Sequence, residues 1–257
     1  MSALITFSSD YGPTDEFVGV CHLVIARIAP DVRVLDVAHG IRGIRWGSAV
    51  LAQSLPEGPS GVHLAVVDPG VGTGRRAVVL VCGDGSMLVG PDNGLFFPVA
   101  DLLGGVAEGF ELTDPTFRSG KSSSTFHGRD IFAPAAAHLA LGVAPSEFGP
   151  SVDGLVRLPP PHVRAGSGVL ESDVLRVDWF GNVQLAAIGE DLARAGLAGE
   201  VVVNGIAARI GEKFADVERG ALLVYVNSAG HVALAANGAS ARELLHDPER
   251  VTLSAKT

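Results

Sequence analysis

A glycine-rich segment in the first third of the chain carries residues suited to electrostatic and acid–base chemistry. Asp68 follows the apolar run 64–67, which is typical of a buried parallel strand. Ligands of α/β proteins bind at the carboxyl ends of such strands, so Asp68 lies where a site is expected. Glycines at every second position from 70 to 74 disfavour a helix and predict a tight loop. Arg75 and Arg76 follow, so one loop carries a carboxylate and a guanidinium.

A second polar stretch, residues 121–130, is predicted to be a loop and contains His127. Asp68, Arg75 and His127 could together activate a water molecule. Arginine is permanently protonated and cannot be the base, but it can stabilise a developing hydroxide. Neighbouring side chains of a strand point to opposite sides, so only one of Arg75 and Arg76 is expected to face Asp68. The alternative for His127 is a histidine of a surface loop.

Asp10 and Asp15 lie between the first predicted strand, 4–7, and a helix with apolar spacing from 17 to 28. The carboxylate of Asp10 could accept hydrogen bonds from the two hydroxyls of a ribose. Alternatively, Asp10 caps the helix or stabilises a turn. Asp15 is more typical of an aspartate that stabilises the positive end of a helix dipole, and Thr14 or Asp15 could cap that helix.

In the second half of the chain, polar residues surround two aromatic residues from Asp178 to Asn182, a pattern that predicts a turn. Residues 227–230 predict a hairpin turn by the same reasoning. The glycine loop at 70–74 matches neither a Walker phosphate loop nor the dinucleotide fingerprint. Metal-binding patterns such as paired cysteines, HExxH or an EF-hand loop do not occur, so no metal site is predicted.

The order of predicted elements indicates an α/β fold with two domains. Strand, helix, strand, helix and strand alternate up to residue 68, which implies a parallel sheet with right-handed crossovers. Three consecutive prolines at 159–161 predict a stiff linker over residues 159–163. Short strands separated by Gly, Asn and Asp follow and indicate a small β-barrel or sandwich; they are predicted at 169–177, 200–203, 207–210, 221–226 and 231–235. The predicted domains are therefore an α/β domain, 1–158, and a smaller β-barrel domain, 164–257.

Composition narrows the class of protein. The 257 residues are 47% hydrophobic and 18% charged, which predicts a large core and excludes a disordered chain. A net charge of −9 argues against nucleic acid or an anionic membrane as partner. Cys21 and Cys82 lie in apolar runs and are predicted to be reduced core thiols. No apolar run reaches the roughly 18 residues of a membrane helix, and a cytoplasmic location is expected.

Six motifs in order along the chain resemble those of a known family. They are Ser9-Asp-Tyr-Gly12, Val67-Asp-Pro-Gly-Val-Gly-Thr-Gly-Arg75, Pro91-Asp-Asn-Gly94, Thr125-Phe-His-Gly-Arg-Asp130, Phe180-Gly-Asn182 and Asn227-Ser-Ala-Gly230. The sequence is similar in these motifs to the S-adenosylmethionine hydroxide adenosyltransferases, the hydrolytic relatives of the fluorinase and chlorinase. The resemblance implies an α/β N-terminal domain, a β-barrel C-terminal domain, and a homotrimer with active sites between subunits.

The resemblance also implies roles for particular residues. Asp68, Arg75 and His127 would handle the water, and Asp10 would hold the ribose hydroxyls. The remaining implied substrate-binding residues are Asp15 and Phe126 in the first domain and Asp178, Phe180, Asn182, Phe214 and Ser228 in the second.

In the second domain, Asp178 and Ser228 would hold the methionine end of the substrate, whereas Phe180, Asn182 and Phe214 would contact adenine. The sequence departs from the family pattern at two places. Ala229 stands where the fluorinase has an arginine near the methionine carboxylate, and Leu185 and Ala186 replace a frequent Thr-Asn pair.

The implied reaction is hydrolysis of S-adenosylmethionine to adenosine and L-methionine, by in-line attack of water on the 5′ carbon. S-adenosylmethionine is the substrate, and neither a cofactor nor a metal is expected. Two alternatives differ in class from this interpretation. One is a halogenase that uses S-adenosylmethionine, and the other is an adenosine-binding protein without catalytic activity.

Overall fold

The computed structural model describes residues 4–120 and 123–256. The chain divides after Leu158 into two compact units, which are called here the N-terminal unit and the C-terminal unit. None of the helices within the described residues is long and apolar enough to cross a membrane.

The N-terminal unit consists of six strands and four α-helices among the residues described. In chain order they are β1 (Leu4–Ser9), α1 (Phe17–Ile28), β2 (Arg33–Ala38), α2 (Ile44–Ser54), β3 (Val62–Val66), β4 (Ala77–Cys82), β5 (Met87–Pro91), α3 (Phe97–Leu102), β6 (Val106–Glu111) and α4 (Ala133–Ala140). Short 3-10 turns lie at Leu55–Glu57, Pro115–Phe117 and Pro145–Phe148, and a π-helical turn at Gly128–Phe132 runs directly into α4.

The six strands form one mixed sheet in the order β2-β1-β3-β5-β4-β6. The strands β2, β1, β3 and β5 are mutually parallel, whereas β4 is antiparallel to both of its neighbours. The predicted parallel sheet is confirmed for the first three strands and β5. The hairpin formed by β4 and β5, together with the pairing of β4 and β6, makes the other edge antiparallel.

The sheet is covered on both faces, which explains why β3 is fully buried. Leu64 and Val66 pack in the cluster that contains residues of α1 and α4, whereas Ala65 and Val67 pack in the cluster that contains residues of α2 and α3. This alternation follows from the pleat of the strand. Cys21 and Cys82 are free and buried as predicted, and burial raises their pKa values to about 12 and about 11.

The prediction of a polar loop up to Asp130 is wrong at its end. Residues 121 and 122 lie outside the described residues, but Gly128–Phe132 is helical. Pro134 has no N–H to donate to the carbonyl of Asp130, four residues earlier. The N–H of Ser119 donates to that carbonyl instead, at 3.0 Å. A π turn therefore precedes α4, and His127 takes the N-cap position of this turn.

The C-terminal unit is a closed barrel with two short helices among the residues described. Its elements are β7 (Val163–Gly166), β8 (Val169–Val177), β9 (Val183–Ile188), α5 (Gly189–Arg194), β10 (Glu200–Val203), β11 (Ile206–Ile210), β12 (Leu222–Val226), β13 (His231–Ala236), α6 (Ala241–Leu244) and β14 (Arg250–Ala255), with a 3-10 turn at Phe214–Asp216.

Seven strands follow one another in the order β14-β10-β11-β12-β13-β9-β8, and the pairing of β8 with β14 closes the ring. The predicted β-barrel is confirmed. The sequence pattern misses β7, β9 and β14, and β7 begins at the last residue of the predicted linker. In β14, buried Val251 and Leu253 alternate with exposed Arg250 and Thr252, so the strand lacks a continuous apolar run such as that of β12.

Arg76 connects the beginning of β4 with the end of the N-terminal unit. Its guanidinium donates to the carboxylate of Asp92 at 2.9 and 2.5 Å and to the carbonyls of Asp153 and Gly154 at 2.9 and 2.8 Å. The buried Asp92 also accepts the N–H of Val156 at 2.9 Å. The side chain of Arg76 thus neutralises a buried carboxylate and fixes a segment 77 residues away.

We expect Arg76→Ala to lower the free energy of unfolding by roughly 2–3 kcal/mol, because Asp92 would stay buried without its counter-charge. Urea denaturation followed by circular dichroism measures this change. Arg42→Ala is the matched control, since Arg42 is exposed and has no hydrogen bond or ion pair recorded within the described residues. The control should change stability by less than about 0.5 kcal/mol. Equal effects of the two substitutions would contradict the prediction.

Candidate active site

The carboxylate of Asp68 and the guanidinium of Arg75 form a buried ion pair in the loop between β3 and β4. Nε of Arg75 lies 3.0 Å from both carboxylate oxygens, and Nη2 also contacts Oδ2. The side chain of Arg75 is 10% exposed and that of Asp68 is 4% exposed. The loop turns back on itself because Val71 N–H donates to the carbonyl of Asp68 and Thr73 Oγ1 donates to that of Gly70. These hydrogen bonds bring Arg75 close to Asp68, at the start of the loop.

His127 contacts the same guanidinium. Its Nδ1 atom lies 2.7 Å from Nη2 of Arg75. Arginine has only donors, so Nδ1 must be the acceptor, and the proton of the neutral ring is then carried by Nε2. Burial, together with the positive charge of Arg75, lowers the pKa of His127 below its usual value. At neutral pH the site therefore contains an uncharged imidazole whose second nitrogen is a hydrogen-bond donor.

The backbone lets the loop that follows β3 approach the segment before His127 closely. Gly72 has φ +79°, and a Cβ at this position would lie 2.5 Å from the carbonyl oxygen of Ser124. Only glycine satisfies both constraints. Arg76 points away toward Asp92, so the alternation predicted for Arg75 and Arg76 is observed. Together, Asp68, Arg75 and His127 lie in one hydrogen-bonded chain.

Asp10 lies beside Asp68, because β1 and β3 are parallel neighbours and both residues follow their strands. The Oδ2 atom of Asp10 accepts the backbone N–H of Asp68 at 2.8 Å. Burial raises the pKa of Asp10, and the negative charge of Asp68 adds to this effect. A carboxylate has about four acceptor positions, so Asp10 keeps oxygen lone pairs for a further ligand.

The capping predictions for Asp10, Thr14 and Asp15 are wrong. The helix α1 begins at Phe17, with Glu16 at its N-cap position, and this end has no side-chain cap. The N–H of Asp15 instead donates to the carbonyl of Gly12, and the carboxylate of Asp15 folds back over Gly12. Asp15 is exposed and lies one residue before the N-cap of α1, and its role in substrate binding stays a prediction.

Phe126 belongs to a cluster of three aromatic rings beside the site. Its ring centroid lies 5.1 Å from that of Phe17 and 5.7 Å from that of Tyr11, both in edge-to-face geometry. The guanidinium of Arg129 covers its face at 5.0 Å. These contacts fix the segment that carries His127, which is sufficient reason for an aromatic residue here. A contact of Phe126 with substrate stays a prediction.

In the C-terminal unit, the predicted turn at Asp178–Asn182 is confirmed. Asp178 accepts the backbone N–H groups of Phe180 and Asn182, both at 2.9 Å, and the side-chain amide of Asn182 at 2.8 Å. The turn leaves the rings of Trp179 and Phe180 exposed, by 95% and 76%. Asp178 and Asn182 thus have structural partners, and their roles toward substrate stay predictions.

The other two residues implied for substrate binding lie in exposed positions of the same unit. Ser228 lies in the hairpin turn between β12 and β13, as predicted, where Asn227 accepts the N–H groups of Ala229 and His231 at 3.0 Å. Phe214 is 50% exposed, and its ring lies 6.0 Å from that of Tyr225.

Asn93 contributes to the site in a way that its sequence pattern does not predict. Its side-chain amide donates to the carbonyl of Val67 at 2.9 Å, and its Oδ1 atom accepts the N–H of Leu95 at 3.2 Å. Asn93 thereby fixes the backbone immediately before Asp68. The Pro-Asp-Asn-Gly motif could have indicated this role, because a turn alone does not require asparagine at position 93. Within the described residues, no group of three or more His, Cys, Asp or Glu side chains is arranged to hold a metal ion.

Comparison with known proteins gives matches over both units. The model of the SAM hydroxide adenosyltransferase N-terminal domain matches residues 5–149, and that of the C-terminal domain matches residues 172–249. The chain is 51% identical over 248 residues to a protein of Salinispora arenicola named (R)-S-adenosyl-L-methionine hydrolase, covering 94% of this chain and 93% of that protein. A fluorinase of an Actinoplanes species is 29% identical over 277 residues, with coverage of 92% and 91%.

A solved structure from Thermotoga maritima, described as an uncharacterized conserved protein, has a TM-score of 0.86 and 34% sequence identity. It covers 97% of this chain, and this chain covers 99% of it. By sequence identity, the chain is more similar to the hydrolase of Salinispora arenicola than to the fluorinase of the Actinoplanes species.

We expect Arg75→Gln to raise the pKa of His127, because the substitution removes a positive charge and leaves the negative charge of Asp68 uncompensated. The fraction of neutral His127 would then be lost at a higher pH than in the wild type. An NMR titration of the histidine ring protons measures this shift. Arg42→Gln should leave the titration of His127 unchanged. If Arg75→Gln also leaves it unchanged, the contact between Arg75 and His127 is contradicted.

Proposed function

Because this chain belongs to the SAM hydroxide adenosyltransferase family, we propose that it hydrolyses S-adenosylmethionine to adenosine and L-methionine. The observation that carries the proposal is the hydrogen-bonded chain of Asp68, Arg75 and His127. These three side chains offer a carboxylate acceptor and a neutral imidazole donor on either side of one fixed guanidinium. One water molecule needs such an acceptor and such a donor to be held in a single orientation.

In the proposed reaction, the water oxygen attacks the 5′ carbon in line with the carbon–sulfur bond. The C5′–O bond forms as the C5′–S bond breaks, and its electron pair passes to sulfur. Methionine therefore leaves as a neutral thioether and needs no general acid. The water proton is transferred to the protein or to solvent, so atoms and charge balance.

The tautomer of His127 determines which side chain donates a hydrogen bond to the water and which accepts one from it. Arg75 has no acceptor, and Nδ1 of His127 already accepts from it. Asp68 is therefore the acceptor for a water proton, whereas Nε2–H of His127 donates to the water oxygen. A general base typically contributes ~10²–10⁴-fold to a rate. Fixing the water in line can contribute ~7–11 kcal/mol, so positioning is the larger effect.

Product analysis tests the proposed function directly. The purified protein is incubated with S-adenosylmethionine, with and without chloride, and the nucleosides are separated by chromatography. Formation of adenosine in both samples is the expected result. A 5′-chloro nucleoside formed with chloride would identify a halogenase, and saturable binding of adenosine without turnover would identify a non-catalytic binding protein.

We expect His127→Ala to lower kcat at least ~10²-fold while the affinity for substrate changes by less than about tenfold. His127→Gln should retain more activity than His127→Ala, because a glutamine amide keeps an N–H donor for the water. Steady-state kinetics and substrate titration measure both quantities. The exposed His246 in the C-terminal unit provides the control substitution His246→Asn. If His127→Ala has the kcat of the wild type, His127 does not act on the water.

Asp10 is proposed to accept hydrogen bonds from the ribose hydroxyls. We expect Asp10→Ala to weaken adenosine binding by roughly 2–3 kcal/mol, which is the size of a charge-assisted pair of hydrogen bonds. Calorimetry with adenosine and 2′-deoxyadenosine measures it. Removal of the 2′-hydroxyl should reduce affinity for the wild type more than for the variant. Equal losses of affinity in the wild type and the variant would show that Asp10 does not bind the ribose and contacts only Asp68.

We further propose that the protein is a cytoplasmic homotrimer in which neighbouring subunits complete each active site. Support comes from family membership and from the distribution of the implied residues. Asp10, Asp68, Arg75 and His127 belong to the N-terminal unit, whereas the residues implied for adenine and methionine belong to the C-terminal unit. S-adenosylmethionine is the proposed small-molecule partner, and the reaction as written needs no cofactor.

Mixed oligomers test this assembly. Asp10→Ala and Asn182→Ala should each be nearly inactive alone. In randomly mixed trimers with shared sites, about a quarter of the sites would combine two intact halves, so activity should reappear up to that fraction. Differently tagged chains verify the mixing. Mixed oligomers without any recovered activity, or a fully active monomer, would show that each chain builds its own site.

A further inference from the structure

A chain of polar side chains lies behind Asp10 and takes no part in the roles described above. Oγ of the fully buried Ser9 is 2.7 Å from Nδ1 of His39. Nε2 of His39 is 3.2 Å from Oδ1 of Asp36, within ion-pair distance although not aligned as a hydrogen bond. The same carboxylate oxygen is 2.8 Å from Nε2 of His22. These four residues are called here the histidine relay.

The histidine relay connects three elements of the N-terminal unit to the start of the proposed ribose site. Ser9 is the last residue of β1, Asp36 lies in β2, and His22 lies in α1. His39 follows β2 directly. The relay thus extends from a partly exposed histidine to the residue immediately before Asp10.

Backbone hydrogen bonds hold the two loops together at the inner end of the relay. The N–H of Gly40 donates to the carbonyl of Tyr11 at 2.7 Å, and that of Ile41 donates to the carbonyl of Ser9 at 3.2 Å. The residues on either side of Asp10 are therefore bound to the loop that carries His39. His39 is thus linked through short contacts to the backbone on both sides of Asp10.

The other hydrogen bond of Ser9 favours one direction for its contact with His39. Oγ of Ser9 already accepts the N–H of Tyr11 at 3.3 Å. The hydroxyl hydrogen of Ser9 needs an acceptor of its own in this buried position, and Nδ1 of His39 supplies it. His39 then carries its proton on Nε2, which faces Asp36. The ring of Phe7 lies edge-to-face with that of His39, at 4.9 Å between centroids, and restricts its rotation.

The charge on Asp36 is consistent with this tautomer. Burial opposes the charged form of its carboxyl, but contacts from His22 and His39 outweigh burial and hold its pKa below the usual value. A charged Asp36 favours a proton on the nitrogen that faces it. Ser9, His39 and Asp36 are the residue types of a hydrolytic triad, yet Ser9 is completely buried and cannot meet a substrate.

We propose that His39 is a positioning residue for nucleoside recognition, which acts by accepting the hydroxyl hydrogen of Ser9 and so fixes the backbone that presents Asp10. This inference rests on the proposed function, because the ligand of Asp10 is taken to be the ribose of the substrate. His39 does not touch that ligand. Its effect on binding is exerted through Ser9 and Tyr11.

The tautomer is tested first, on the unliganded wild-type protein. A long-range ¹H–¹⁵N spectrum distinguishes the two neutral imidazole tautomers, and the signal that disappears in His39→Asn identifies His39. A proton on Nε2 is the expected result. A proton on Nδ1 would overturn the inference, whatever the protein catalyses.

Two isosteric substitutions then test the role in binding. The side-chain oxygen of His39→Asn can replace Nδ1 as acceptor for Ser9, whereas His39→Gln extends toward Asp36 and loses that acceptor. We expect His39→Gln and Ser9→Ala to raise the Kd of adenosine about tenfold, and His39→Asn to stay within about threefold of the wild type. His22→Gln, at the outer end of the relay, should also stay near the wild type.

The effect should be smaller for 2′-deoxyadenosine than for adenosine, because the affected contact is that of Asp10 with the ribose hydroxyls. Thermal unfolding of each variant separates loss of binding from loss of fold. If His39→Asn and His39→Gln bind adenosine equally well, the positioning role is overturned. If the wild type forms no adenosine from S-adenosylmethionine, the proposed function fails separately, and the tautomer measurement still decides the direction of the relay.

Discussion

The buried ion pair between Asp68 and Arg75 is the interaction on which the rest of the site depends. Burial of two charges is unfavourable, and such a pair adds little to stability even when its geometry is good. Its importance lies in orientation. The guanidinium uses Nε and Nη2 for Asp68, and Nη2 also reaches Nδ1 of His127. One side chain thus sets the position of the carboxylate, the tautomer of the imidazole and the distance between them.

The fold makes this interaction possible through the order of its strands. Because β1 and β3 are adjacent and parallel, their carboxyl ends bring Asp10 and Asp68 together. The glycine loop then returns Arg75 to Asp68, and Gly72 allows the segment before His127 to approach. The π turn that leads into α4 starts directly after His127. The proposed ribose contact and the proposed water contact are thereby joined by a single hydrogen bond between Asp68 N–H and Asp10.

Local patterns of the sequence predict much of this arrangement. The apolar run predicts the strand before Asp68, and the alternation of side chains along a strand predicts the opposite directions of Arg75 and Arg76. Turn chemistry predicts the turns at 178–182 and 227–230. These features depend on residues that are close in sequence, and the family motifs extend the prediction to His127.

The features that the sequence does not reveal depend on distant partners. The π turn follows from the contact between Ser119 and Asp130, and β14 is defined by its pairing with β8, some 80 residues earlier. Ser9 and His39 are 30 positions apart and carry no joint signal. The tautomer of His127 follows only from its contact with Arg75, because a histidine in a polar segment has either nitrogen available.

Isotope incorporation tests whether this site makes water the nucleophile at the 5′ carbon of S-adenosylmethionine. The reaction is carried out in H₂¹⁸O, and adenosine and methionine are analysed by mass spectrometry. If water is the nucleophile, one ¹⁸O atom is expected in the 5′-hydroxyl of adenosine and none in methionine. Adenosine without the label, or the label in methionine, would contradict it.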